Sequence, residues 1–96
     1  MAWKVIWSEE AIVDLGAVVR YIAADNRSAA EALAQTVFER TRMLGDFPYA
    51  GRRAPEEHDA NVRELIVEPY RIIYEVSDSS IDILRIWHAA RGKPEM

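Results

Sequence analysis

The chain has 96 residues, half of them hydrophobic, and a formal net charge of −4 at pH 7. This length supports one hydrophobic core rather than two, and the apolar content excludes a disordered chain. The absence of cysteine excludes disulfides, thiolate metal sites and cysteine nucleophiles. The acidic balance argues against general nucleic-acid binding, since affinity for phosphates depends on basic side chains.

The composition also bears on the cellular compartment. No apolar run is long enough to span a membrane, and the first residues lack the basic and then apolar pattern of a signal peptide. With the lack of cysteine, these features predict a cytoplasmic protein without a membrane partner. We expect residues 1–96 to form a single domain, with a flexible tail over residues 89–96.

The chain begins with a predicted strand and helix. Residues 2–7 alternate in a way that is typical of a strand buried on at least one face. Ser8 is a good N-cap for the first helix, which is predicted to end near residues 25–26, because Asp and Asn favour turns. Its core stripe is predicted to contain Ala11, Ile12, Leu15, Val18, Val19 and Ile22.

A second helix is predicted to begin at a capping box formed by Ser28 and Glu31. Gly45 suits the position just after the helix, and Pro48 prevents the helix from continuing. The predicted core stripe of this helix contains Leu33, Ala34, Val37, Thr41 and Leu44. The two helices form a hairpin, whose apolar stripes are the natural cover for an apolar sheet face.

Residues 47–61 contain two prolines and a glycine without clear periodicity, which predicts a long loop. Arg52 and Arg53 in this loop are candidates for contact with a target, and solvation is their structural alternative. Residues 56–59 are acidic or histidine, but an adjacent run without a partner motif rarely forms a metal site. No metal and no other cofactor are therefore expected.

Three runs rich in Ile, Val and Tyr between residues 62 and 88 predict three antiparallel strands. A two-residue turn at Glu68 and Pro69 and a four-residue loop at residues 77–80 set the register, which places Ile73 opposite Leu84. One face is then apolar and consists of Leu65, Val67, Ile72, Tyr74, Val76, Ile81 and Ile83. The other, mixed face consists of Glu64, Ile66, Arg71, Ile73, Glu75, Asp82, Leu84, Ile86 and His88.

The order of a strand, a helical hairpin, an arginine-containing loop and a three-stranded meander resembles the RelE/ParE family of bacterial toxins, and its ParE branch in particular. The matching segments cover nearly the whole chain: AIVDLGAVVRYIAADN, LGDFPYAGRRAPE, REL followed by YRIIYEV, and ILRIWHAAR. The resemblance implies an α+β fold in which the helices cover one sheet face. It also implies the toxin component of a type II toxin-antitoxin system, with a cognate antitoxin as protein partner.

The family divides by activity. RelE-like members resemble ribosome-dependent mRNA endonucleases, whereas ParE-like members inhibit DNA gyrase. Arg71 falls where RNA-cleaving relatives hold a phosphate-contacting arginine, and His88 falls near an acid or base of some of them. The basic cluster of those relatives and a tyrosine or second base after the last strand are missing, and Ala89 and Ala90 occupy that place. The resemblance therefore favours a gyrase inhibitor without an assigned catalytic residue.

The candidate target-binding residues are Arg52, Arg53, Arg71, His88 and Arg91, of which the last three would be catalytic in a nuclease. Arg71 has a structural alternative as the partner of acids on neighbouring strands, and His88 has one as a strand-end residue. Tyr21 and Phe38 are candidate antitoxin anchors, because each lies off or at the margin of its helix's core stripe. Two alternatives to a gyrase inhibitor remain, namely an mRNA endonuclease and a member that only binds its antitoxin. Direct sequence-specific binding of nucleic acid is not expected.

Overall fold

The structure, a computed structural model, describes residues 3–91, and within this range it has an α+β fold with two helices and a five-stranded sheet. The elements are β1 (Lys4–Trp7), α1 (Glu9–Ala23), α2 (Arg27–Met43), β2 (Arg52–Arg53), β3 (Val62–Val67), β4 (Tyr70–Val76) and β5 (Ser80–His88), followed by a 3-10 turn at Ala89–Arg91. The strand order is β1-β5-β4-β3-β2. Strand β1 runs parallel to β5, and the other neighbouring strands are antiparallel.

Two further sequence predictions concern the C-terminal tail and the lack of a membrane-spanning segment. Of the tail predicted to be flexible, residues 92–96 lie outside the described residues. In the range that the structure covers, no helix combines the length and the apolar character needed to cross a membrane.

Helix α1 begins where the sequence predicts. The hydroxyl of Ser8 accepts a hydrogen bond from the Ala11 amide at 3.0 Å and donates one to the carbonyl of Leu84 at 2.9 Å. The N-cap therefore also ties the helix to β5. The predicted core stripe is confirmed except for Ile12, which is exposed because it lies about 100° around the helix from the buried Ala11.

Helix α2 begins earlier than predicted. Its N-cap is Asn26, whose side-chain oxygen accepts from the Ala29 amide at 3.0 Å. The capping box of Ser28 and Glu31 is therefore wrong: Ser28 lies inside the first turn, and Glu31 pairs with Arg27 at 3.5 Å. Asparagine caps as well as serine does, and the earlier cap gives a longer helix.

Gly45 follows α2 as predicted, and close packing explains why a glycine is needed there. A Cβ atom at this position would lie 2.8 Å from the carbonyl oxygen of Trp3. The amide of Trp3 donates to the carbonyl of Gly45 at 2.6 Å. The end of α2 is thereby fixed to the chain just before β1.

The predicted register of the three-stranded meander is confirmed up to one irregularity. Leu65 faces Ile72 across the first corner, and Tyr74 faces Ile83 across the second. A β-bulge then shifts the pairing, so that Ile73 faces Arg85 and the predicted pairing with Leu84 is wrong. One extra residue in β5 moves every later side chain to the other face.

The bulge changes the composition of both faces. The predicted apolar face is confirmed in full, and it packs under α1 and α2 as the main core. Ile86 belongs to this core, so its predicted place on the mixed face is wrong. On the opposite face, Ile73 forms a second small cluster with Ala54 and Val62, against which Leu84 packs.

The segment predicted to be a loop from residue 47 to 61 contains a strand. Strand β2 extends the sheet, with Arg52 opposite Glu64 and Arg53 opposite Arg63. The prediction of an irregular loop is wrong at these two positions, because a strand of two residues is too short to produce an alternating pattern. The sheet consequently has one strand more than the sequence indicates.

Candidate functional site

Arg71 lies on the mixed face at the centre of an ion-pair cluster. Its Nε donates to Oε1 of Glu64 at 2.6 Å, and its guanidinium also pairs with Glu56. Glu64, whose side chain is fully buried, accepts a further hydrogen bond from Nε of Arg52. The cluster therefore joins β2, β3 and β4 to the segment that follows β2.

The environment of Arg71 keeps its guanidinium charged and paired with carboxylates. Burial alone would lower the pKa of Arg71, but hydrogen bonds and charge attraction from Glu56 and Glu64 outweigh this effect, and the pKa lies above its ordinary value. A phosphate group would have to compete with two carboxylates for this guanidinium. Breaking a buried ion pair without replacing the partner is costly.

His88 lies on the other side of the sheet from Arg71. It faces Tyr70 across β4 and β5, whereas Arg71 faces Trp87. Consecutive residues of a strand point to opposite faces, so the bulge has moved His88 away from the mixed face on which the sequence placed it. That prediction is wrong for this structural reason. The rings of His88 and Tyr70 meet edge to face, with centroids 5.3 Å apart.

The hydrogen bond of His88 determines which ring nitrogen is available. Its Nδ1 accepts from the amide of Ala90 at 3.0 Å. In the neutral imidazole the proton then resides on Nε2, which can donate a hydrogen bond and cannot accept one.

Arg52 and Arg53 lie on β2 at one edge of the sheet, three strands away from His88 on β5. Arg52 is connected to Arg71 through Glu64, as described above. The guanidinium of Arg53 donates to the carbonyl of His58 at 2.7 Å. Arg91 ends the 3-10 turn, and its side chain falls outside the described part of the chain.

The segment before β2 is held by a hydroxyl group and a guanidinium. The hydroxyl of Tyr74 accepts from the amide of Gly51 and donates to the carbonyl of Pro48, both at 2.9 Å. Nη1 of Arg63 donates to the carbonyl of Gly51 at 2.9 Å, and its guanidinium lies 4.7 Å from the ring centroid of Tyr49. Burial raises the pKa of Tyr74, and the Gly51 amide partly opposes this shift. The sequence indicated only that Tyr74 belongs to the core and gave no sign of this anchoring role.

A cleft lies at the opposite edge of the sheet, between β1 and α2. Its volume is about 600 Å³, and it is lined by Val5, Trp7, Gln35, Phe38, Glu39, Thr41 and Arg42. Phe38 is 52% exposed, and its ring centroid lies 5.4 Å from that of Trp7. Tyr21 is exposed on α1. An apolar cleft beside an edge strand can accept an amphipathic or extended peptide segment.

Residues 56–59 do not come together as a metal site. Among the residues that the structure describes, no group of three or more His, Asp or Glu side chains is placed to hold a metal ion. Glu56 instead contributes to the ion-pair cluster of Arg71.

Comparison with protein families identifies one match over nearly the whole chain. The model of the family described as "ParE toxin of type II toxin-antitoxin system, parDE" matches residues 5–92. The chain is also 38% identical over 89 residues to a protein of Caulobacter vibrioides named toxin RelE2, covering 92% of this chain and 97% of that protein.

Solved structures share the fold at lower identity. A chain of the chromosomal ParDE toxin-antitoxin system of P. aeruginosa superposes with a TM-score of 0.76 at 24% identity, covering 91% of this chain and 96% of that chain. A chain of the RelBE2 complex of Mycobacterium tuberculosis gives a TM-score of 0.60 at 20% identity, with 92% and 99% coverage. A chain of the E. coli DinJ-YafQ complex gives a TM-score of 0.64 at 15% identity, with 98% and 100% coverage.

Proposed function

The chain belongs to the RelE/ParE family and is the toxin of a type II toxin-antitoxin system, and we propose that it inhibits DNA gyrase and is neutralised by a cognate antitoxin. The family model describes ParE toxins, and this description supports the ParE branch. On this proposal residues 1–96 act as one toxin domain.

The observation that carries the choice of gyrase is the separation of Arg71 from His88. Phosphodiester cleavage by general acid-base catalysis requires an acid and a base that are both positioned at the same phosphodiester. Arg71 and His88 face opposite sides of the sheet, and Arg71 is already paired with Glu56 and Glu64. This arrangement supports a toxin that acts by binding a protein rather than by cleaving RNA.

The cleft beside β1 supports the antitoxin as the neutralising partner. The aromatic rings of Phe38 and Trp7 line the cleft, and aromatic side chains often dominate binding energy at interfaces. Tyr21 is the second proposed anchor, because a large aromatic side chain exposed on a helix is available to a partner. A segment that folds onto this surface must bury a large area to offset its loss of conformational entropy.

The second candidate function is ribosome-dependent cleavage of mRNA. The observation that favours it is the 38% identity to the protein named toxin RelE2. In that case Arg71, His88 and Arg91 would be the residues to test for catalysis.

Regulated expression in a bacterial host tests the proposed function. A gyrase inhibitor is expected to induce the DNA-damage response before protein synthesis falls, and co-expression of the neighbouring antitoxin gene should restore growth. Immediate translation arrest without DNA damage would support the endonuclease instead. Normal growth at a verified level of soluble toxin would support a member that only binds its antitoxin.

A further inference from the structure

Two aromatic side chains project from the segment that precedes β2. Phe47 is 62% exposed and Tyr49 is 53% exposed. Large apolar side chains that remain exposed to water commonly mark contact sites. We use the term docking surface for Phe47, Tyr49, Arg53 and Arg63.

The docking surface is held in place before any partner arrives. The Phe47 carbonyl accepts from the Ala50 amide at 3.1 Å, which closes a turn around the two aromatic residues. Tyr74 and Arg63 each form one hydrogen bond with the following Gly51, and the hydroxyl of Tyr74 also donates to the carbonyl of Pro48. A preorganised surface loses little conformational entropy on binding, so more of its contact energy contributes to affinity.

The docking surface is also positively charged, although the whole chain is acidic. Two of its four residues are arginines and none is acidic. Arg53 bonds the carbonyl of His58, and Arg63 bonds the carbonyl of Gly51 and the ring of Tyr49. Neither guanidinium forms an ion pair with a carboxylate within residues 3–91. Two cations beside exposed aromatic rings are complementary to an apolar pocket with acidic residues at its rim.

We propose that the docking surface is where the toxin contacts its target protein, through an apolar pocket rimmed by carboxylates on that protein. This inference rests on the proposed function, in which the target is gyrase. It assigns Phe47 and Tyr49 as anchors, and Arg53 and Arg63 as the charges that orient the complex.

The location of the docking surface separates it from the antitoxin cleft. Strands β1 and β2 form opposite edges of the five-stranded sheet. Four strand spacings of about 4.8 Å place these edges roughly 19 Å apart. Substitutions in the docking surface should therefore leave antitoxin affinity unchanged. Aromatic and arginine side chains can also bind single-stranded nucleic acid, but the net charge of −4 makes a protein partner the better fit.

The test uses the full chain with Phe47→Ala, Tyr49→Ala and Arg53→Glu, and Ile12→Ala as a control at an exposed apolar residue elsewhere. Three affinities are measured for each soluble variant: for purified gyrase, for the antitoxin encoded beside the toxin, and for a labelled single-stranded oligonucleotide. Growth inhibition is compared at equal toxin levels. We expect each docking-surface variant to bind gyrase at least about tenfold more weakly, with unchanged antitoxin affinity and reduced toxicity. The effect of Arg53→Glu should shrink as salt is raised.

Several results would overturn the proposal. Wild-type toxicity in the three variants contradicts it, as does a parallel loss of antitoxin affinity, which would assign the surface to the antitoxin. Oligonucleotide binding that depends on Arg53 would assign it to nucleic acid. A wild-type toxin that inhibits growth without binding gyrase refutes the proposed function alone, and loss of toxicity on Phe47→Ala would then still support a target contact at this surface.

Discussion

Asp14 of α1 and Arg85 of β5 form a bidentate ion pair that connects the first helix to the sheet. Nε of Arg85 lies 2.7 Å from Oδ2 of Asp14, and Nη2 lies 3.0 Å from Oδ1. Oδ2 also accepts from the amide of Ile86 at 3.0 Å. Strand β1 has already ended at this point, so it does not accept a hydrogen bond from the Ile86 amide. The carboxylate of Asp14 accepts it instead.

We expect Asp14→Ala to lower the free energy of unfolding by about 1 to 3 kcal/mol, because a partly buried cation and the Ile86 amide lose this acceptor. Arg27→Ala is the matched control, since it breaks an exposed i,i+4 ion pair with Glu31 and should cost less than about 0.5 kcal/mol. Urea denaturation of both variants measures the difference. Equal stabilities would show that the pair of Asp14 and Arg85 does not hold the helix.

Tyr74→Phe should lower the free energy of unfolding by about 1 to 3 kcal/mol at neutral pH, since the Gly51 amide and the Pro48 carbonyl lose their buried partner. The pKa of Tyr74 is raised in the folded state, so the unfolded chain ionises first. The contribution of Tyr74 is therefore present below about pH 10 and is lost as the pH rises through the folded-state pKa. Denaturation curves from pH 7 to 11 should show the wild-type advantage shrinking at high pH, and a constant difference would contradict this account.

Gly51→Ala and Gly16→Ala should have opposite effects. A Cβ atom at Gly51 would lie 2.5 Å from the carbonyl oxygen of Glu64 and 2.7 Å from the hydroxyl of Tyr74. We expect a loss of about 1 to 3 kcal/mol in the free energy of unfolding. A Cβ atom at Gly16 would meet only the mobile end of Arg20, at 3.3 Å, so alanine should stabilise α1 by about 0.5 to 1 kcal/mol. Thermal unfolding of the pair checks both signs, and a neutral Gly51→Ala would mean that the segment before β2 moves freely.

Phe38→Ala should weaken binding of the antitoxin by about tenfold or more, because Phe38 lines the cleft beside β1 and contacts Trp7. Tyr21→Ala should act in the same direction. Tyr49→Ala is a matched control, since Tyr49 is about as exposed as Phe38 but lies near the other edge of the sheet. Calorimetry with the antitoxin measures the three affinities. If only Tyr49→Ala weakened binding, the antitoxin would occupy the docking surface instead.

The parts of the fold that could be predicted from the sequence depend on local chemistry. Ser8 caps α1 because its hydroxyl reaches an amide three residues away. The register of Leu65 with Ile72 follows from a corner of fixed length. Each of these features is encoded within a few residues, so the pattern alone predicts it.

The parts that could not be predicted depend on contacts between distant residues. The bulge inserts Leu84 between two paired positions, and an apolar residue fits either register in a strand that has apolar side chains on both faces. The pairing of Arg71 with Glu56 joins residues from β4 and from the segment after β2, and no local pattern specifies it. The relation of Arg71 to His88 depends on the bulge, which is why the sequence placed them together and the structure separates them.

The most direct test compares both activities with one preparation of purified toxin. Gyrase is assayed on supercoiled and relaxed plasmid DNA, and ribosomes are assayed on a bound mRNA by toeprinting, each with and without the antitoxin. Arg71 is already paired and His88 faces the other side of the sheet, so we expect gyrase to be inhibited or trapped on DNA while the mRNA stays intact. The antitoxin should abolish the effect. Cuts at defined codon positions, with gyrase unaffected, would contradict the account.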